Sequence, residues 1–236
     1  MLVDKGLAKS RQRAHSLIMA GQVLVNDVPV DKPGTPVSGS AKITLRGEDH
    51  PYVSRGGIKL EAALNAFGLD VNGFVCMDVG ASTGGFTDCL LRHGAHKVYA
   101  VDVGYGQIAW KLRQDSRVVI IERTNIRHMA PDMIPESIDL ATIDVSFISL
   151  KIVVPVVIPY LKPAGRVVVL IKPQFEAGKG RVGKGGVVRD PAMRAEIVND
   201  LADTFKGSGL RCSEAEPSPI RGPKGNQEYL MLLRLP

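Results

Sequence analysis

Asp78, Gly80, Ser82, Gly84 and Gly85 crowd into one short stretch, between an apolar run ending at Met77 and a second one opening at Phe86. A strand that ends in an acid and opens through glycine into a helix brings backbone close to a ligand, because glycine places no Cβ in the way. The acid selects the ligand. A dinucleotide would set its pyrophosphate against such a loop, and a carboxylate there would repel it. Asp78 instead suits a cation, such as the amino group and sulfonium of S-adenosylmethionine. Asp102 closes the next apolar run, where a carboxylate accepts hydrogen bonds from both hydroxyls of a ribose. Asn125 follows the third run, where an amide would meet adenine, and Asp144 ends the fourth. The expected cofactor contacts are therefore Asp78, Gly80, Ser82, Gly84, Gly85, Phe86, Asp102, Asn125 and Asp144.

Four ionisable residues stand where a globular domain has little structural use for them: Lys59, Asp144, Lys172 and Glu228. Singly each has an ordinary explanation, since a lysine ending a strand usually snorkels to water and a glutamate opening one is usually solvated. Together, in order and in element, they resemble the Lys-Asp-Lys-Glu tetrad of FtsJ-type ribose 2′-O-methyltransferases. Tyr52-Val53-Ser54-Arg55-Gly56-Gly57, Asp144-Val145-Ser146-Phe147-Ile148-Ser149-Leu150 and Ile171-Lys172-Pro173-Gln174-Phe175-Glu176 narrow the resemblance to the TlyA family. That family implies methylation of cytidine 2′-hydroxyls in ribosomal RNA, with S-adenosylmethionine as donor. Some members carry the historical name haemolysin.

A ribose hydroxyl is a poor nucleophile and a sulfonium methyl a strong electrophile, so such an enzyme must align the two and manage one proton. Lys172 is the expected manager, as a base when neutral or as a cation facing developing alkoxide. Asp144 and Glu228 favour its charged form; burial and Lys59 favour the neutral one. Lys59 and Glu228 are assigned to orienting the ribose and tuning Lys172. After the tetrad's second lysine, Lys179, Arg181 and Lys184 are spaced by glycines, as suits a mobile clamp on RNA phosphates.

The N-terminal segment reads as a unit of its own. Ser10 can cap a helix with Ala14, Leu17 and Ile18 on one face, closed by Gly21, with Lys9, Arg11, Arg13 and His15 on the exposed side. Short strands are expected at 23–25, 28–30 and 43–46. Gly6-Leu7-Ala8-Lys9-Ser10-Arg11 and Ile18-Met19-Ala20-Gly21-Gln22-Val23-Leu24-Val25-Asn26 resemble the S-four domain, an RNA-binding module that implies RNA contacts at Lys9, Arg11 and Arg13, with Arg55 added from the later motif. That family carries more helix ahead of Leu2, and its absence points to the narrower, large-subunit substrate range. The expected division is 1–46 for this domain, 47–57 for a linker and 58–236 for the methyltransferase.

The elements that must position these groups follow from the apolar runs. Strands are expected at 75–79, 98–103, 118–122, 138–144, 166–171, 211–217 and 228–235, and helices at 58–67, 86–93, 107–113, 150–160 and 191–205. Apolar runs alternating with helices argue a parallel sheet buried on both faces. The last two strands are joined without a helix, so the final one is antiparallel. The fold class expected is α/β: a Rossmann-like methyltransferase with seven strands, beside a small α+β domain.

The net charge is +6, and residues 1–59 hold nine Lys and Arg against five Asp and Glu, so the excess lies beside the proposed RNA module. Cys76, Cys89 and Cys212 lack metal-ligand spacing, which argues a reduced cytoplasmic protein without a metal site. No signal peptide is read at the N-terminus. The most apolar segment, 152–161, is too short to span a bilayer and contains Pro155 and Pro159. A membrane-active haemolysin, a non-catalytic RNA-binding or ribosome-assembly protein and an NAD(P)-dependent oxidoreductase are the competing readings.

Overall fold

The computed structural model describes residues 1–236 apart from Lys9, Ala20, Asp27, 46–49, Lys179, Lys184 and Pro223. The chain forms two compact units, Met1–Ser54 and Arg55–Pro236.

In the first unit, Ser10 accepts a hydrogen bond from the Arg13 N–H at 3.1 Å and so starts α1 (Arg11–Met19). Gly21, at φ +65°, turns the chain into β1 (Val23–Val25), followed by β2 (Val28–Val30) and β3 (Ile43–Leu45). The three form an antiparallel sheet with β1 in the centre. Asn26 fixes the register of β3, because its Oδ1 accepts the Lys42 N–H at 3.0 Å while its own N–H donates to the Lys42 carbonyl. Leu2, Ala8, Leu17 and Val23 make a small core, with Ala14 and Ile18 packed on it. Arg11 and His15 are exposed and Arg13 is half-buried; Lys9 falls outside the described residues.

The second unit opens with α2 (Gly56–Ala66), two residues earlier than the sequence suggests. Then come β4 (Val75–Val79), α3 (Gly85–Arg92), β5 (Lys97–Val101), α4 (Trp110–Arg113) and β6 (Val118–Ile121). β7 (Ile138–Ile143), α5 (Leu150–Val157), β8 (Leu161–Ile171), α6 (Pro173–Glu176) and α7 (Pro191–Gly207) follow. The chain ends with β9 (Arg211–Cys212), β10 (Glu216–Pro217) and β11 (Tyr229–Arg234). The strand order is β10-β11-β8-β7-β4-β5-β6, with β9 also on β11; β4 to β8 are parallel, and β11 runs antiparallel to β8.

Every residue of β4 is buried, as a sheet covered on both faces requires. Met77, Val79, Val167 and Val169 face the helices, where Leu150, Val153, Val157, Leu201 and Phe205 fill one continuous core. Among the described residues the expected seven strands become eight. The run expected at 211–217 breaks because Ser213 substitutes its hydroxyl for main chain: Leu232 N–H donates to Ser213 Oγ at 3.0 Å while Ser213 N–H donates to the Leu232 carbonyl. The helix expected at 107–113 starts only at Trp110, because Ala109 ahead of it is extended, at ψ 138°, with its N–H donated to the Thr83 carbonyl at 3.1 Å.

Candidate functional site

Parallel strands leave their carboxyl ends along one edge of the sheet, and an antiparallel neighbour brings its amino end there. Gly80, Asp102, Asp144 and Lys172 each stand one residue beyond β4, β5, β7 and β8, and Glu228 stands one residue ahead of β11. Strand register then aligns them. Val79 pairs with Val101 and Ile143, and Ile171 pairs with Tyr229, so the next residues out are neighbours. Residues far apart in the chain thus meet at the edge where open α/β sheets bind ligands.

A cavity of about 410 Å³ opens there, walled by Gly80, Ser82, Asp102, Val103, Asn125, Ile126, Asp144, Val145, Phe147 and Ile148 among others. Gly80, at φ +86°, admits the fold where no other residue fits: a Cβ there would stand 2.4 Å from the Asp144 carbonyl oxygen. Four of the loop's N–H groups already have acceptors in the protein. Gly80 and Ala81 N–H groups both donate to the Val101 carbonyl, Gly84 N–H to Ala81 O, and Ser82 N–H to Asp102 Oδ2 at 2.7 Å. A loop with its N–H groups so engaged is no cradle for a pyrophosphate, which counts against the dinucleotide reading.

Asp102 also accepts the Gly104 N–H at 2.6 Å, which fixes its carboxylate at the cavity wall with further lone pairs to offer. Asn125 Oδ1 caps the turn Ile126–His128 by accepting the Arg127 N–H at 3.1 Å, leaving its amide hydrogens as donors. A carboxylate for a diol, an amide for a heterocycle and apolar walls from Val103, Ile126 and Ile148 fit a nucleoside cofactor.

Asp78, Gly84, Gly85 and Phe86 are not part of the cavity wall. Asp78 is wholly buried, its Oδ2 accepting the Thr87 N–H (3.0 Å) and hydroxyl (2.7 Å) and its Oδ1 the Thr142 hydroxyl (3.2 Å). Its carboxyl thus joins β4, α3 and β7 behind the loop. Burial pushes its pKa up to about 7, against the Thr87 and Thr142 hydrogen bonds, with the nearby Asp144 charge adding to the rise. Gly84, at φ +91°, turns the chain into α3 where a Cβ would strike Leu112, and Phe86 is buried beneath.

The four tetrad candidates come together as two ion pairs. Lys59 Nζ lies 2.5 Å from Glu228 Oε2, and Lys172 Nζ lies 2.5 Å from Asp144 Oδ1. Glu228 is 1% exposed, so Lys59, itself buried on α2, is what makes a carboxylate tenable there. Lys172 also donates to Ser146 Oγ at 3.0 Å.

Sequence reasoning missed the residues that hold these pairs. Glu176 accepts the Ser149 hydroxyl (2.6 Å) and the Leu150 N–H (2.8 Å), tying the segment after Lys172 to the segment after Asp144; burial raises its pKa. The Phe147 and Phe175 rings meet across the same two segments, 4.8 Å between centroids. Asn226, 3% exposed, accepts the Val188 N–H at 3.0 Å and donates to the Gly186 carbonyl at 2.9 Å, anchoring the glycine-rich loop just ahead of Glu228. Its position two residues before a tetrad member was the available signal. In that loop Ala177 and Val188 pack on Ile197, and Arg181 pairs with Glu196 at 2.6 Å. Lys179 and Lys184 fall outside the described residues. Arg55 is half-buried at the start of α2.

The model of FtsJ-like methyltransferases matches residues 52–235, and that of the S4 domain matches residues 1–43. A protein of Mycobacterium tuberculosis named 16S/23S rRNA (cytidine-2′-O)-methyltransferase TlyA is 48% identical, over 99% of this chain and 87% of its own. A solved structure of a hemolysin-named protein from Streptococcus thermophilus superposes with a TM-score of 0.80 at 42% identity, covering 99% of this chain and 86% of that one. An S-adenosylmethionine-dependent methyltransferase from Listeria monocytogenes shares the fold, with a TM-score of 0.55 at 18% identity over 76% of this chain and 98% of its own.

Gly80→Ala drives a methyl group into the Asp144 carbonyl, so it should abolish binding of S-adenosylhomocysteine in calorimetry while the far-ultraviolet spectrum stays folded; wild-type affinity would contradict the close approach. Asp78 gives a pH dependence. Its folded pKa lies above the unfolded value near 3.9, so its contribution is full below about pH 4 and is lost as pH rises through about 7. Urea melts should show the wild type losing stability over that window relative to Asp78→Asn, which keeps the shape and cannot ionise. Parallel pH profiles would refute the assignment.

Proposed function

The chain belongs to the FtsJ-like methyltransferase family, and on that footing we propose that it methylates the ribose 2′-hydroxyl of cytidine in ribosomal RNA, with S-adenosylmethionine as donor. One observation carries the reading. Asp144 both walls the cavity at the sheet edge and pairs with Lys172, so candidate cofactor site and candidate proton-handling group share a residue.

When bound, the cofactor supplies a methyl group on positively charged sulfur. Asp102 takes the ribose of its adenosine half and Asn125 the adenine, while Gly80 and Ser82 leave room beside Asp144 for the rest. Asp78, Gly84, Gly85 and Phe86 serve by shaping the loop. Transfer forms one C–O bond at the 2′-oxygen as the C–S bond breaks, and the hydroxyl proton must leave. Lys172, held by Asp144 and Ser146, stands as the group that takes this proton or faces the developing alkoxide with its charge. Lys59 and Glu228 form a fixed polar wall that orients the ribose. No metal enters this account.

The S4-type unit, with Arg11 and Arg13, and the segment carrying Arg181 supply phosphate contacts, together with Arg55, Lys9, Lys179 and Lys184. Ribosomal subunits in the cytoplasm are the setting this chemistry implies. Among the described residues no helix is long and apolar enough to cross a membrane, which gives a helix-based haemolysin reading no support. The non-catalytic RNA-binding reading lacks an explanation for two paired charges at the cavity.

Labelled S-adenosylmethionine should pass its methyl group to ribosomal subunits from a strain lacking the protein. Lys172→Ala should lower the single-turnover rate by about 10²-fold or more, on the scale of a lost proton-transfer group, while cofactor affinity stays within twofold. Methylation at the wild-type rate by the variant would remove Lys172 from the mechanism, and no transfer to any ribosomal particle by the wild type would overturn the proposed substrate.

A further inference from the structure

Among the described residues, the large aromatic side chains left exposed are Tyr105, Trp110 and Phe147. Phe147 belongs to the cavity already described. Tyr105 is 67% exposed, yet the loop that carries it is held firmly. Arg123 N–H donates to the Gly104 carbonyl and Thr124 N–H to the Asp102 carbonyl, both at 3.0 Å. Gly106 N–H donates to Glu122 Oε1 at 2.9 Å, and the same oxygen is paired with Arg113. An exposed tyrosine on a mobile loop would need no explanation; this one is fixed from both ends.

Arg123 completes the arrangement. Its backbone stands at φ +53°, a strained conformation for a long side chain, and its guanidinium lies 4.1 Å from the centroid of the Tyr105 ring. One face of the ring is therefore covered by a cation, and the high exposure leaves the other to solvent. Glu122, which holds the loop through Gly106, is itself paired with Arg113. Arg123 itself is exposed. A rigid aromatic face backed by a guanidinium suits a stacked nucleobase and its phosphate.

We propose that Tyr105 and Arg123 form a second RNA-contact surface, on the adenosine side of the cavity, which stacks an unpaired nucleotide of the substrate RNA outside the reaction site. The inference rests on the RNA-methyltransferase reading above and extends it. The surface adds affinity and orientation, and it takes no part in the methyl transfer itself.

The test uses the full chain and protein-free ribosomal RNA, with binding followed by fluorescence anisotropy. Tyr105→Ala should weaken RNA binding about tenfold, the size of one lost base–aromatic stack, and Tyr105→Phe should retain it. Arg123→Gly, which removes the guanidinium while suiting the positive φ, should weaken binding and flatten its salt dependence. In each variant the affinity for S-adenosylhomocysteine and the transfer rate at saturating RNA should stay near wild type. Unchanged RNA affinity in both Tyr105→Ala and Arg123→Gly overturns the proposal. So does a loss confined to cofactor affinity, which would make the loop a cofactor lid, or a loss seen only with assembled subunits, which would mark a protein partner. A wild-type chain that binds no RNA overturns the methyltransferase substrate itself, a result distinct from all of these.

Discussion

Charge withdrawn from water at the carboxyl edge of the sheet is stabilised here by pairing, and the rest of the site is arranged round that requirement. Glu228 is almost wholly buried, and Lys59 reaches it from α2, a helix that precedes the sheet in sequence. Removing one partner of a buried pair leaves a charge whose desolvation costs about 3–5 kcal/mol. The pairing therefore holds α2 against the start of β11 as well as setting two candidate catalytic groups. The second pair, Lys172 with Asp144, bridges β8 and β7 at the same edge. Two interactions that look like catalytic detail thus also tie together elements that the strand register has already brought side by side.

Close approach of main chain is the second constraint. Gly80 lies against the Asp144 carbonyl with no room for a side chain, so the cofactor loop and the strand end bearing Asp144 have one available spacing. Behind the loop, the buried Asp78 carboxyl gathers Thr87 and Thr142, and its burial gives it a pKa near neutrality. The cavity wall is thus stiff on the nucleoside side. On the other side Glu176 and Asn226 do similar work, one tying the segments after Lys172 and Asp144, the other tying the glycine-rich loop to the approach to Glu228. A reaction that depends on lining up one oxygen with one methyl group gains most from such fixed geometry.

The first unit solves a smaller problem with fewer means. A core built on four buried residues cannot hold much surface, and Asn26 supplies register through two hydrogen bonds where packing is thin. Its helix shows Arg11 and His15 to solvent. Basic side chains on a small, regular scaffold suit a sequence-tolerant phosphate contact.

The sequence determined what local pattern and residue type can determine. Apolar runs separated by helices specify a parallel sheet, a helix-free last connection specifies its antiparallel strand, and Ser10 and Gly21 mark the ends of α1. Chain order placed Asp102, Asp144, Lys172 and Glu228 at element ends, because polarity breaks an apolar run wherever the run leaves the core. Tertiary structure decided everything that depends on direction and neighbours. A period-two pattern does not say that Asp78 turns inward to Thr87 while Asp102 lines a cavity, since both are acids beside the same glycine loop. It does not pair Lys59 with Glu228 across 169 residues, nor does it show Ser213 breaking a strand with its own hydroxyl. Those outcomes rest on which donors and charges the folded chain brings within about 3 Å of each other, and separation along the sequence carries no record of that distance.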